Sequence, residues 1–163
     1  SPMIVPLIIT AAGMFFFYAR INLVYSFTGI ILAHVALATP FVVITVTATL
    51  VGFDMNMVKA AQSLGARPVR TFFKVIMPLI LPGVISGALF AFITSFDEVV
   101  IVMFMGSLDQ LTIPKQMWAG IRQEISPVIL CMATCLVVLS ILLLTTVELL
   151  RRRSEKLRGI KSR

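Results

Sequence analysis

Two adjacent carboxylates, Asp97 and Glu98, lie within a long apolar segment. Their residue types and position make them the strongest candidates in the chain for a functional role. A charge at the centre of a membrane helix costs at least about 2.5–3.5 kcal/mol, so such residues usually face a bundle interior or an aqueous path. Successive residues point about 100° apart around a helix, so one of the two is expected to face such a path. The pair predicts either a lining that attracts cations or a structural pair bonded to neighbouring backbone or to Arg122.

Other groups that often carry chemistry are sparse. Cys131 and Cys135 are four residues apart in an apolar run, which places both on one helix face as packing residues. His34 is the sole histidine, so a histidine-rich metal or proton site is excluded. An intramembrane enzyme that used Asp97 and Glu98 as acid and base would lack a nucleophile, and the sequence has no glycine-rich phosphate loop. The prediction is therefore a protein that is not an enzyme and needs no cofactor or metal.

The composition indicates that the elements holding these residues lie in a lipid bilayer. Of the 163 residues, 59% are hydrophobic and 13% are charged. Soluble domains average about 45–50% apolar and about 25% charged residues. A chain this short cannot hide so much apolar surface from water, so the bilayer is the expected solvent.

Four apolar segments predict an all-α, polytopic transmembrane helix bundle. The segments cover residues 3–18, 26–51, 75–105 and 128–150. The first is short, because a membrane span needs about 20 residues. Between and after them lie a loop at 52–74 and a basic tail at 151–163, and residues 1–163 are predicted to form one transmembrane domain.

The basic residues predict how the bundle is oriented. Counted over alternate loops, one side holds eleven lysines and arginines and the other side holds three. Cytoplasmic loops carry the excess of basic residues, so loop 52–74 and the tail are predicted to be cytoplasmic. The net charge of +7 accompanies apolar spans and no aromatic stacking platform. The tail is therefore expected to anchor to anionic lipid, and no nucleic-acid partner is predicted.

The loop before the third segment predicts a short helix followed by a break. Val58, Ala61 and Leu64 recur at helical spacing and form a small apolar stripe. Gly65 supplies a stop where a positive φ is easy, and Pro68 suits the first turn of a new helix. A short helix with small residues of this kind is suited to entering a groove on a partner.

This loop resembles the coupling loop of ABC-importer permeases. The family pattern is Glu-Ala-Ala, three residues, Gly, nine residues, then Ile-x-Leu-Pro. The matching positions here are Lys59, Ala60, Ala61, Gly65, Val75, Ile76, Met77 and Pro78. Lys59 reverses the usual charge, which removes any salt bridge that the glutamate makes, although lysine forms helices equally well. The resemblance implies the type I permease fold, with Ala60, Ala61 and Gly65 docking on an ATPase subunit.

A second resemblance concerns the spermidine/putrescine branch of that family. It rests on Ser95-Phe96-Asp97-Glu98-Val99-Val100, on Thr112-Ile113-Pro114 and on Trp118. It implies polyamine import, with Asp97, Glu98 and Trp118 along the substrate pathway. Trp118 is more typical of an interfacial aromatic belt, and contact of its ring face with a cation is the alternative. The same kind of permease for an opine, thiamine or ferric iron is the alternative.

The resemblance also implies partners and a location. The partners are ABC ATPase subunits, a second permease subunit, an extracytoplasmic binding protein and the lipids of a bacterial inner membrane. The similarity lines up with the C-terminal two-thirds of a six-span permease, so the expectation is an N-terminally truncated chain with about four spans. A remnant that no longer transports remains an alternative at this stage.

Overall fold

The computed structural model describes residues 4–123 and 127–157, and this part of the chain is helical, without strands. The predicted all-α class is confirmed. The helices in chain order are α1 (Leu7–Arg20), α2 (Phe27–Val51), α3 (Asn56–Ser63), α4 (Pro68–Phe96), α5 (Val100–Met105), α6 (Ile113–Gln123) and α7 (Pro127–Leu157). Helices α2 and α4 and the first part of α7, Pro127–Thr146, are long and apolar enough to cross a membrane, whereas α1 is a shorter apolar helix.

Helices α2 and α4 form the main antiparallel pair, and two glycines of α4 allow their close approach. A Cβ on Gly87 would lie 2.5 Å from Thr45 Oγ1 and 3.0 Å from Val42 Cα, and one on Gly83 would overlap Thr49 Oγ1. The threonine hydroxyls donate to carbonyls of their own helix, as Thr49 does to Thr45 O at 2.9 Å, so they need no partner across the contact. Gly83 and Gly87, four residues apart, thus form a small-xxx-small pair that places the two backbones in contact.

A π-helical turn at Phe72–Ile76 interrupts α4 just before Pro78. Proline has no backbone N–H, and its ring clashes with the carbonyl four residues earlier, here that of Lys74. The wider turn relieves this conflict by shifting the hydrogen-bond register, so that Met77 N–H donates to Phe72 O. The helix continues through the proline to Phe96.

The third predicted segment, 75–105, differs from the structure. The helix already begins at Pro68, inside the predicted loop, and it ends at Phe96. Residues 97–99 are not helical and separate α4 from α5. Glu98 Oε1 accepts a hydrogen bond from Ile101 N at 2.7 Å and thereby caps the new helix. Because the residues on both sides of this break are apolar, the hydropathy of the sequence does not indicate where α4 ends. At the C-terminal end, α7 continues to Leu157, and residues 158–163 of the predicted tail lie outside the described residues.

The core of the chain surrounds α5, which packs against α1 and α2. Ile101, Val102 and Met105 are fully buried, and Tyr25 N–H donates to Met105 O at 2.9 Å. This bond ties the connection between α1 and α2 to the end of α5. The connections after α1 and after α5 consequently meet at one end of the bundle, and α3 lies at the other.

Candidate functional site

Helix α3 is a short, well-defined element because both of its ends are capped. At the start, Asp54 Oδ1 accepts from Asn56 N at 2.9 Å. At the end, Gly65 has φ of +78° and donates from its N–H to Gln62 O at 2.9 Å, while Ala66 N donates to Ala61 O at 3.0 Å. These two bonds form a Schellman motif, and the predicted stop at Gly65 is present.

The two faces of α3 differ in exposure. Val58 and Ala61 are half-buried towards the start of α4. Met57 and Leu64 are 48% and 88% exposed, and Ala60 between them is exposed too. Leu64 follows the last helical residue and points away from the chain, so the predicted stripe of Val58, Ala61 and Leu64 is divided between the two faces. We call Met57, Ala60 and Leu64 the α3 apolar face.

The other predicted coupling residues, Lys59 and Pro78, lie on different helices. Lys59 is exposed on α3, so its charge is in contact with solvent. Pro78 lies in α4 directly after the π-helical turn, at a distance along the chain from α3. Val69 and Phe73, both largely exposed at the start of α4, extend the apolar surface beside α3. The α3 apolar face lies outside the helices that are long enough to cross a membrane, whereas Val69 and Phe73 belong to one of them, α4.

At the opposite end of the bundle, the two carboxylates point in different directions. Glu98 is only 6% exposed, and its Oε1 holds the first turn of α5, whereas Asp97 is exposed. Asp97 lines a cavity of about 430 Å³ between α4, α6 and α7, together with Pro114 and Met117. Glu98 lines a different cavity, of about 320 Å³. The pair is therefore not a single acidic centre, and Glu98 also has a structural role.

The cavity at Glu98 contains residues that the sequence interpretation missed. His34 of α2 reaches Ser95 of α4, with 2.8 Å between Nδ1 and Oγ. Thr112 lines the same cavity. The available signal was a histidine within an apolar span, a position where ionisable residues are usually functional.

Gln110 links two connecting segments at this end of the bundle. It is buried, its Oε1 accepts from Ser107 N at 3.0 Å, and its Nε2 donates to Tyr25 O at 3.2 Å. Lys115 Nζ donates to Ser107 O at 2.9 Å and to Gln110 O at 3.1 Å. The segment between α5 and α6 is thus tied to the connection after α1. Trp118, 47% exposed on α6, does not line either of the two cavities.

The apolar spans, the capped helix between two of them and the cavities at the far end are typical of a membrane transport component. Residues 2–156 match the family of binding-protein-dependent transport system inner membrane components, and the chain belongs to this family. It is thus a permease component rather than an enzyme, and the suspected family is confirmed.

The relatives that match most of the chain transport polyamines according to their names. The chain is 32% identical over 152 residues to the spermidine/putrescine transport system permease protein PotC of Haemophilus influenzae, covering 93% of this chain and 59% of the relative. It is 30% identical over 154 residues to PotC of Escherichia coli, covering 94% and 58%. With the putrescine transport system permease protein PotI of Escherichia coli it shares 30% over 140 residues, covering 82% and 50%. The chain thus spans less than two-thirds of the length of these relatives.

Proposed function

We propose that this chain forms part of the membrane pathway of an ATP-driven importer for polyamines such as spermidine or putrescine. The observation that carries the proposal is the similarity to polyamine permeases over more than nine-tenths of the chain. The buried carboxylate of Glu98 and the exposed carboxylate of Asp97 support a cationic substrate, because an acidic lining attracts cations and repels anions. The segment containing α3 and the basic tail face the cytoplasm in this proposal, since they carry most of the basic residues.

The α3 apolar face is the proposed contact with the ATPase subunit. The small side chain of Ala60 on this face allows the helix to sit deep in a groove, and Leu64 is available to fill a pocket there. The Schellman motif at Gly65 turns the chain directly into α4, which is one continuous helix to Phe96. In this proposal, a movement of α3 therefore moves α4, which carries the movement to the pathway.

The proposed partners are two ATPase subunits, a second permease subunit and an extracytoplasmic binding protein. ATP hydrolysis belongs to the ATPase subunits in this proposal. The end of the bundle around Gln110 and Lys115 is the proposed side of substrate entry, because it is opposite α3. Closure of the ATPase subunits would open this end, and hydrolysis would return the pathway to the cytoplasmic side.

The test of the whole proposal is the ATPase activity of the complete transporter in liposomes with loaded binding protein. Spermidine and putrescine should stimulate hydrolysis, whereas an opine, thiamine and ferric iron should not. Stimulation by one of the latter alone would retain the importer and reject the polyamine assignment. No stimulation by any solute, combined with failure of the ATPase subunit to co-purify, would reject the importer itself.

Leu64→Asp should weaken the contact with the ATPase subunit. Removing a large apolar side chain from an interface and adding a buried charge there is expected to cost at least about 2 kcal/mol. The measurement is the amount of ATPase subunit that co-purifies with the permease. Leu108→Asp is the matched control, because Leu108 is also an exposed leucine, at 92%, and lies at the other end of the bundle. Equal co-purification for the two variants would remove the α3 apolar face from the interface.

Asp97→Asn should lower the rate of polyamine uptake several-fold without lowering the stability of the complex. Its carboxylate is exposed at a cavity rim, so removing the charge reduces attraction of a cation while leaving packing intact. Uptake of radiolabelled spermidine into proteoliposomes measures the effect. Asp97→Glu, which keeps the negative charge at the same exposed position, is the control and should retain uptake. If both variants transport at the same rate, Asp97 does not act on the substrate.

A further inference from the structure

An exposed tyrosine in the connection between α1 and α2 has a backbone conformation that its residue type disfavours. Tyr25 has φ of +60°, in the left-handed region, where a bulky side chain is rare. Tyr25 N–H donates to Met105 O at 2.9 Å, and Tyr25 O accepts from Gln110 Nε2 at 3.2 Å, so distant parts of the chain hold it there. The side chain is nevertheless 60% exposed, so burial of the ring does not explain the strain. Strained residues held in place by their surroundings are concentrated at functional sites.

The turn after α5 holds a leucine outwards. Gln110 N–H donates to Ser107 O at 3.2 Å, and Ser107 N–H donates to Gln110 Oε1 at 3.0 Å. Lys115 Nζ donates to the carbonyl oxygens of the same two residues, at 2.9 Å and 3.1 Å. Leu108 at the tip of this turn is 92% exposed, and Leu111 directly after it is 56% exposed. Burying a leucine is favourable, so a turn fixed with its leucine outwards indicates that something covers it.

The two connections form one surface, because Gln110 joins them from beneath. Its side chain is buried and bonds to Ser107 in one connection and to Tyr25 in the other. We call Tyr25, Leu108 and Leu111 the loop surface. These residues lie outside the helices that are long enough to cross a membrane, at the end of the bundle opposite α3. A surface that is fixed before binding loses little conformational freedom when a partner docks on it.

A folded protein explains the loop surface better than the lipid bilayer does. Asp109 is exposed directly beside Leu108, so inserting the tip into lipid would carry a carboxylate with it. An interfacial aromatic belt needs a tyrosine at the right depth, but it needs neither a strained backbone nor a fixed turn. Tyrosine is also enriched among the residues that dominate protein–protein binding. The family to which the chain belongs depends on a binding protein for transport, and that protein must meet the end opposite the ATPase subunits.

We propose that the extracytoplasmic binding protein docks on the loop surface of this chain. The ring of Tyr25 and the side chain of Leu108 fill apolar pockets on the binding protein, and Leu111 covers the area beside them. Gln110 holds the two connections together beneath the contact. This inference rests on the proposed function for the existence of the binding protein, and it adds the residues that the binding protein contacts.

The experiment measures the dissociation constant of fluorescently labelled, spermidine-loaded binding protein for the complete permease–ATPase complex in lipid nanodiscs. Tyr25→Gly removes the ring and suits φ of +60°, so it should retain the melting temperature of the wild type but raise the dissociation constant by about tenfold or more. Asn22→Gly is the matched control, because Asn22 is exposed in the same connection with φ of +55°. This control should bind like the wild type.

A second pair of variants tests the turn. Leu108→Asp places a charge in the proposed apolar contact and should also raise the dissociation constant by about tenfold or more, while the ATPase subunit still co-purifies. Leu108→Met keeps an apolar side chain of similar size and should bind like the wild type.

The outcomes separate the loop surface from the proposed function. If Tyr25→Gly and Leu108→Asp bind the binding protein as tightly as the wild type, and spermidine still stimulates the wild-type ATPase, the loop surface is wrong and the importer stands. If the wild type responds only to another solute, the polyamine assignment fails, and the same measurement with the binding protein for that solute decides the surface. If the wild-type complex binds no binding protein at all, the importer and the loop surface fail together.

A label at the tip of the turn tests the bilayer as the alternative occupant. Leu108→Cys carries bimane in a chain that also has Cys131→Ala and Cys135→Ala, which removes the two native thiols. Binding protein should shift the bimane emission, and brominated lipid should leave it unquenched. Quenching by brominated lipid, without a response to binding protein, would assign the loop surface to the bilayer and overturn the proposal.

Discussion

Gly87→Val should prevent the stable assembly of the membrane domain. A Cβ at this position would lie 3.0 Å from Val42 Cα, which is backbone and cannot rotate away, and 2.5 Å from Thr45 Oγ1. The two methyl groups of valine would force α2 and α4 apart along their main contact. Overpacking of this kind is expected to cost about 3 kcal/mol or more. The measurement is the melting temperature and yield of the detergent-purified complex.

The matched control is Gly13→Val in α1. Gly13 is also a glycine within an apolar helix, but nothing lies within 4 Å of the position where its Cβ would be. This variant should retain the yield and melting temperature of the wild type. If Gly87→Val were as stable as Gly13→Val, the close contact between α2 and α4 would be incorrect.

Gly65→Pro should abolish coupling between ATP hydrolysis and transport while leaving the spans assembled. Proline holds φ near about −65°, whereas Gly65 has φ of +78°. The substitution also removes the N–H that donates to Gln62 O. The end of α3 must therefore change direction, and the α3 apolar face should no longer meet the proposed ATPase subunit at the correct angle. We expect loss of substrate-stimulated ATPase activity by at least about tenfold, together with lower co-purification of the ATPase subunit.

A graded pair of alanine variants tests the reason for this effect. Gly65→Ala keeps the N–H but places a Cβ in the left-handed region, at a cost of about 1–2 kcal/mol. Gly52→Ala places the same methyl group at the end of α2, where φ is −86° and the nearest atom is 4.0 Å away. Gly65→Ala should be intermediate, and Gly52→Ala should behave like the wild type. Full activity of Gly65→Pro would contradict a coupling role for the Schellman motif.

Local signals in the sequence were sufficient to predict the all-α fold class and several of the helices. The apolar composition predicted the membrane helices, because the transfer of apolar side chains into lipid depends on composition and length alone. The stop at Gly65 was predictable because a positive φ is a property of one residue and its neighbours. The spacing of Gly83 and Gly87 is typical of a close helix–helix approach, although the sequence does not name Thr45 and Thr49 as the opposing residues.

The break after Phe96 shows where local signals were insufficient. Asp97 and Glu98 interrupt an apolar run, and composition alone does not distinguish a charged pair within a helix from a cap between two helices. The distinction depends on whether the Glu98 carboxylate accepts a hydrogen bond from the backbone of α5 or is hydrated by water. The burial of α5 against α1 and α2 favours the hydrogen bond. The two carboxylates consequently have different surroundings, which adjacent positions in a sequence do not reveal.

The amino-acid sequence by itself determined that this protein is helical, lies in a membrane and has a capped helix at Asn56–Ser63 between two spans. Hydropathy, helix caps and glycine conformations are properties of a residue and its near neighbours, so they can be read along the chain. Only the tertiary structure brought His34 within 2.8 Å of Ser95, 61 residues away, beside the buried Glu98. Such a pairing depends on the relative register of two antiparallel helices, which the packing of Gly87 against Thr45 and Val42 decides.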